Sequence, residues 1–192
     1  MPESKEDQFS RLYRLTFPRV LSYVLRRTRS REDAADVVAE IFETTWRKFD
    51  EVPADDSAIL WLYVTARFVL ANHRRRVIRR SAVVSSLISE LALIPLHSEP
   101  LDETAVAMRA CLESLPEDHR EILMLSGWEG LNASEIGSVL NCSATAARIR
   151  LHRARRHLAS EMSNYDPVTK HSPEVQHKEI DHSAHAQEVS ER

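Results

Sequence analysis

Glycine is nearly missing from this sequence: Gly127, Gly130 and Gly137 are the only three in 192 residues. A chain so poor in the residue that shapes hairpin turns, and with few β-branched runs, is badly equipped to build sheets. Cysteine is equally scarce. Cys111 and Cys142 stand alone, without CxxC spacing, which argues against a disulfide framework and a cysteine-held zinc ion and fits a reducing compartment. No apolar run approaches the roughly 20 residues of a membrane span. The N-terminus, MPESKEDQ, lacks the basic-then-apolar pattern of a secretory leader, so a cytoplasmic protein without membrane insertion is expected. An excess of one charge is lacking too, the formal net charge being -3. No cluster of carboxylates and histidines stands out, so the expectation is a non-enzyme with no cofactor and no metal site. His152 and His157 lack carboxylate or cysteine neighbours in the sequence and read as surface residues, and His171, His177, His182 and His185 as solvated members of a polar tail.

What is present is helical. Stretches rich in Ala, Leu, Arg and Glu predict an all-α fold, and its charge is segregated. Arg67, Arg74, Arg75, Arg76, Arg79 and Arg80 lie in one acid-free stretch, and Arg148, Arg150, Arg153, Arg155 and Arg156 in a second, two basic patches offset by acid elsewhere. From Asp33 to Phe49, Val38, Phe42, Trp46 and Phe49 recur at helical spacing as a packing stripe, with Asp36, Glu40, Glu43 and Arg47 on the opposite, solvent-facing stripe. The segment KFDEVPADDS, residues 48–57, breaks this period, and an apolar helix that turns arginine-rich resumes over 58–76. Within it Trp61, Leu62 and Tyr63 read as core. Pro18 is placed near a helix start and Pro116 at the opening of another helix. These features predict two small helical domains, 8–80 and 105–162. A flexible linker (81–104) joins them, and a polar tail (163–192), expected to be disordered, follows.

The most specific local signal spans Leu115 to Leu158. Asn132 with Glu135 three residues on forms a capping-box start for a short helix ending near Leu140, Asn141 suits a left-handed turn, and Ser143 caps the next helix. This is the outline of a helix-turn-helix. In its last helix Ala147, Leu151, Ala154 and Leu158 form an inward stripe, which directs Thr145, Arg148, Ile149, His152, Arg155 and Arg156 outward as a cationic face suited to a DNA groove.

The same segment resembles the DNA-binding C-terminal domain of sigma-70 family RNA polymerase sigma factors, particularly the extracytoplasmic-function (ECF) group. The resemblance rests on Leu115-Pro116, Glu129-Gly130-Leu131, Glu135-Ile136 and Arg150-Leu151-His152-Arg153-Ala154-Arg155. In the N-terminal half, Asp33-Ala34-Ala35-Asp36-Val37-Val38-Ala39-Glu40-Ile41-Phe42 with Trp46 is similar to that family's polymerase-clamp helix, and Trp61-Leu62-Tyr63 through Ala66-Arg67 to its promoter-reading helix. Ala39 stands where the family often has glutamine, Phe68 where asparagine is common, and Ala146 and Ile149 where threonine and serine are frequent.

The resemblance implies a factor that binds core RNA polymerase and directs initiation at promoter DNA. It assigns Asp36, Glu40, Glu43 and Arg47 to the polymerase contact. The loop 49–57 with Arg67, Asn72, His73 and Arg75 is assigned to the melted minus 10 element, and Ser143, Thr145, Arg148, Ile149, His152, Arg155 and Arg156 to the duplex minus 35 element. It also leaves an anti-sigma factor open as a partner. The competing expectation is a helix-turn-helix regulator that dimerises through its N-terminal helices and never touches polymerase.

Overall fold

A computed structural model describes the backbone of residues 3–84 and 103–165. Seven α-helices and one short 3-10 turn make up these residues, and no strand occurs among them. The first domain comprises α1 (Lys5–Leu25), α2 (Arg31–Arg47), the 3-10 turn Phe49–Glu51 and α3 (Ala58–Val84). The second comprises α4 (Glu103–Ser114), α5 (Glu117–Gly127), α6 (Ala133–Leu140) and α7 (Ala144–Ser163).

Helices α1, α2, α6 and α7 begin where a short polar side chain takes over a backbone donor that the helix leaves unpaired. Ser4 and Ser30 accept from the N–H groups of Asp7 and Asp33 at 3.1 and 2.9 Å. Ahead of α3, Asp55 Oδ1 accepts from Ser57 N at 2.9 Å and from its hydroxyl at 2.5 Å, and these bonds hold the Asp55 carboxyl below its ordinary range. Pro18, expected near a helix start, instead lies inside α1. Its ring removes the bond to the Arg14 carbonyl, a loss tolerated because both residues face solvent.

The core of the first domain is built from Val20, Tyr23 and Val24 of α1, Val37 and Ile41 of α2, and Leu62, Tyr63 and Ala66 of α3, all fully buried. Burial therefore centres α2 on Ala34, Val37, Ile41 and Thr45, one position round from the expected stripe. Val38 and Phe42 remain inside, but Trp46 is 37% exposed and packs edge-on against Phe9 at 5.1 Å. Near the end of α2, Trp46 meets Phe9 of α1 and Phe49 of the 3-10 turn, at the margin of the three-helix core. Trp61 is partly buried against the core while Leu62 and Tyr63 are inaccessible, as expected.

Leu115, Ile122, Leu125, Ile136, Val139, Ala147 and Ala154 form the core of the second domain. Of the proposed linker, residues 81–84 continue α3 and Glu103 already begins α4, while 85–102 lie outside the described residues. The tail from residue 166 onward, with its four histidines, also lies outside them.

Candidate nucleic-acid interface

The helix-turn-helix is assembled as its residue types require. Asn132 Oδ1 accepts from the N–H groups of Ser134 and Glu135 at 2.9 and 3.1 Å, while Glu135 accepts from Asn132 N at 2.7 Å, completing the reciprocal capping box. Asn141 ends α6 with φ 52° and ψ 54°, a left-handed conformation that asparagine adopts at low cost. Ser143 then caps α7, accepting from Ala146 N at 3.1 Å. Within this turn, Gly137 is a residue that sequence reasoning passed over. A Cβ added there would lie 2.6 Å from the Cys142 carbonyl oxygen, so glycine is what lets the turn fold back against α6. A lone glycine inside an apolar helical run was the available signal.

Ala147 and Ala154 are fully buried and Leu151 and Leu158 pack beside them, which fixes the rotation of α7. Ser143, Thr145, Arg148, Ile149, His152, Arg155 and Arg156 are consequently all exposed, together on one side of the domain. Arg155 reaches Ser126 at 3.3 Å, and the Ser143 hydroxyl is the cap of α7. His157, expected at the surface, turns partly inward, its Nδ1 lying 3.0 Å from Nδ1 of His119. Among the described residues, no group of three or more His, Cys, Asp or Glu is arranged to hold a metal ion.

On α2, Asp36, Glu43 and Arg47 are exposed, with Arg47 Nε 3.8 Å from Glu43. Glu40 is half-buried and bonded to Arg76 of α3 at 2.5 Å, which ties part of this face to the neighbouring helix. Ala39, the position that lacks the family's glutamine, is exposed beside it.

The four residues assigned to the minus 10 element do not form one surface. At 3.6 residues per turn they are spread around α3. Asn72 and Arg75 are exposed and bonded to each other at 2.7 Å, with Phe68, 69% exposed, on the same face. His73 turns toward α2 and places Nε2 3.1 Å from Asp33. Arg67 turns toward the second domain, donating to the Val139 carbonyl at 2.7 Å with Glu121 4.0 Å away.

That last contact belongs to a charged seam between the two domains. Arg26 donates to both oxygens of Glu129 at 2.9 Å, and Arg27 bonds Glu121 at 2.9 Å and Glu129 at 3.4 Å. The Tyr23 hydroxyl donates to Glu121 at 2.9 Å, and burial, reinforced by Glu121, pushes its pKa far above the ordinary range. Tyr63 approaches Glu129 at 3.4 Å, and Arg74 pairs with Glu117. None of this is visible in the sequence, because the partners lie 43 to 103 positions apart.

Two family descriptions match the chain: "Sigma-70 region 2" over residues 12–80 and "Sigma-70, region 4" over 105–158. The RNA polymerase sigma factor CarQ of Myxococcus xanthus is 30% identical over 155 residues, 79% of this chain and 87% of that protein. This chain belongs to the sigma-70 family of RNA polymerase sigma factors, in its ECF group. The ECF sigma factor SigF of Caulobacter vibrioides is 29% identical, covering 77% of this chain and 82% of that one. The fold agrees with a solved RpoE from Bartonella quintana (TM-score 0.63, 21% identity, 81% of this chain and 96% of that one). It agrees also with CnrH (TM-score 0.58, 20% identity, 82% and 89%). As a sigma factor, the chain acts with core RNA polymerase in promoter-directed initiation, and the two matched regions together disfavour a regulator that works without polymerase. Among the described residues no helix is long and apolar enough to cross a membrane.

Proposed function

We propose that this sigma factor divides promoter reading between its domains. The exposed side of α7, with Ser143 and Thr145 at its start and Arg148, Ile149, His152, Arg155 and Arg156 along it, enters the major groove at the minus 35 element. The α2 face of Asp36, Glu40, Glu43 and Arg47 meets the polymerase clamp. The loop 49–57 and the exposed Asn72 and Arg75 side of α3 receive the melted minus 10 strand, with Arg67 and His73 joining once their present partners release them. The observation that supports this reading is the rotation of α7: the seven residues assigned to it and its cap are all exposed while Ala147 and Ala154 are buried.

The work is non-enzymatic: cationic donors bind phosphate and base edges, and no bond in DNA is made or broken by this chain. Its compartment is the cytoplasm, where polymerase and promoters are. An anti-sigma factor is included among its partners by likeness to solved relatives, since the Bartonella RpoE is in complex with the anti-sigma factor NepR and CnrH with the cytosolic domain of CnrY.

The test is transcription in vitro with purified core polymerase on a panel of minus 35 variants. Arg148→Ala, near the N-terminal end of α7, should lower transcription unevenly across the panel, losing about 1–3 kcal/mol of discrimination at the base pair it reads. Arg156→Ala, two turns further on, should weaken all variants about equally and reduce the salt dependence. If both substitutions shift every promoter by one common factor, Arg148 is a phosphate contact and its assignment as a base reader is wrong.

A further inference from the structure

The outward face of α7 has an internal order that burial of the opposite face does not require. At about 100° per residue, Thr145, Ile149, His152 and Arg156 recur at spacings of four, three and four on the line opposite the packed Ala147, Leu151, Ala154 and Leu158. Arg148 and Arg155 border this line on one side and Arg150 and Arg153 on the other, all four exposed. A helix laid in a groove puts the middle of its outward face deepest, against the base edges, and its flanks nearer the phosphate walls. On that middle line, in the second turn of α7, stands Ile149, 48% exposed.

A single exposed isoleucine is ordinary on a protein surface, and it is the place of this one that sets it apart. The flanking arginines and the neighbouring Thr145 and His152 carry hydrogen-bonding groups, whereas the side chain of Ile149 carries none. Pressed against a polar base edge it would cut donors and acceptors off from water and offer no partner in return, which is costly. One base avoids this. In the major groove, thymine presents its 5-methyl group, an apolar surface that the other bases lack.

We propose that Ile149 reads a thymine 5-methyl group in the duplex minus 35 element, so that one position of the element is chosen by apolar contact rather than by a hydrogen bond. The proposal rests on the assignment of α7 to the minus 35 element and adds the chemical group that one residue recognises. The β-branched side chain is stiff about χ1, and burial of Ala147 and Ala154 fixes the rotation of the helix that bears it. Its methyl groups therefore reach the groove with little freedom left to lose on binding. The cations on both flanks attract DNA of any sequence. Ile149 adds affinity only where a methyl group meets it, so its contribution is to selectivity.

The experiment uses holoenzyme assembled from the full chain and core RNA polymerase, at one fixed salt concentration. The DNA is a promoter selected by this holoenzyme from a random-sequence duplex pool. Each thymine of its minus 35 element, on either strand, is replaced in turn by uracil, which keeps the pairing and the phosphates and lacks only the methyl group. At one position the wild type should bind the uracil duplex roughly fourfold more weakly, the worth of about one buried methyl group. Ile149→Ser should bind the thymine and uracil duplexes equally at that position, and Ile149→Val, which keeps the branch at the β carbon, should retain most of the difference. Three results overturn the proposal: a selected element without thymine, a wild type that binds every uracil duplex as well as its thymine parent, and an Ile149→Ser protein that weakens both duplexes by one common factor. Each of these leaves the minus 35 assignment standing as long as scrambling the element still weakens wild-type binding. Equal binding to the scrambled element refutes the assignment and the proposal together.

Discussion

Adding one methyl group at Gly137 should loosen the helix-turn-helix although it favours the helix that contains it. In an open helical position, glycine to alanine gains up to about 1 kcal/mol through backbone entropy. Here the new Cβ would stand 2.6 Å from the Cys142 carbonyl oxygen and 3.4 Å from Ala144 N, both backbone atoms of the turn. That carbonyl has no rotamer to adopt, and Cys142 N is itself bonded to the Gly137 carbonyl at 2.8 Å, so the turn must shift as a whole. Overpacking of this kind costs about 1–3 kcal/mol. Against the propensity gain, Gly137→Ala should come out destabilising by roughly 1–2 kcal/mol, a fall of roughly 5–15 °C in Tm for a domain of this size. Gly127→Ala is the internal comparison, since nothing lies within 4 Å of its added Cβ. It should stabilise the domain by about 0.4–1 kcal/mol. Thermal melts of both variants by far-UV circular dichroism, as full chains, read the difference in sign. A Gly137→Ala protein that melts at or above the wild-type temperature would show that the turn relaxes freely and that the close approach has no structural weight. The same substitution should reduce transcription from promoters that depend on the minus 35 element, even below its melting temperature, because the turn sets the angle at which α7 leaves α6.

Two further outcomes follow from the site. Asp36→Ala/Glu43→Ala removes two exposed carboxylates from α2 and should change stability by no more than about 0.5 kcal/mol, while affinity for core polymerase, read by fluorescence titration, falls roughly tenfold. Unchanged affinity would remove the α2 face from the polymerase contact. Asn132→Ala opens the capping box of α6 and should cost about 1 kcal/mol, with Asn132→Asp retaining most of the stability because either side chain accepts from the same N–H groups. Equal denaturation midpoints for Asn132→Ala and wild type would count against the box as a stabilising element.

Much of the protein is decided by short-range chemistry and is legible in the residue order. Asn132 and Glu135, Asn141, and Ser143 are each read through a bond or a dihedral within four positions, and the structure realises each of them. The outward face of α7 follows with equal directness, because burying Ala147 and Ala154 leaves a rigid helix no other rotation. Where a reading depends on what lies across from an element, the residue order runs out. The stripe of α2 was legible but its rotation was not, since Trp46 is inside or outside according to where α1 ends its contact. Arg67, Asn72, His73 and Arg75 are close in sequence, but tertiary packing sends Arg67 to Val139, His73 to Asp33, and only Asn72 and Arg75 to a shared face. Arg26 and Arg27 carry no local mark that distinguishes them from other surface arginines. Their pairing with Glu121 and Glu129 is a property of two domains folding against each other across about a hundred residues, and charge attraction has no sequence period by which it could be read in advance.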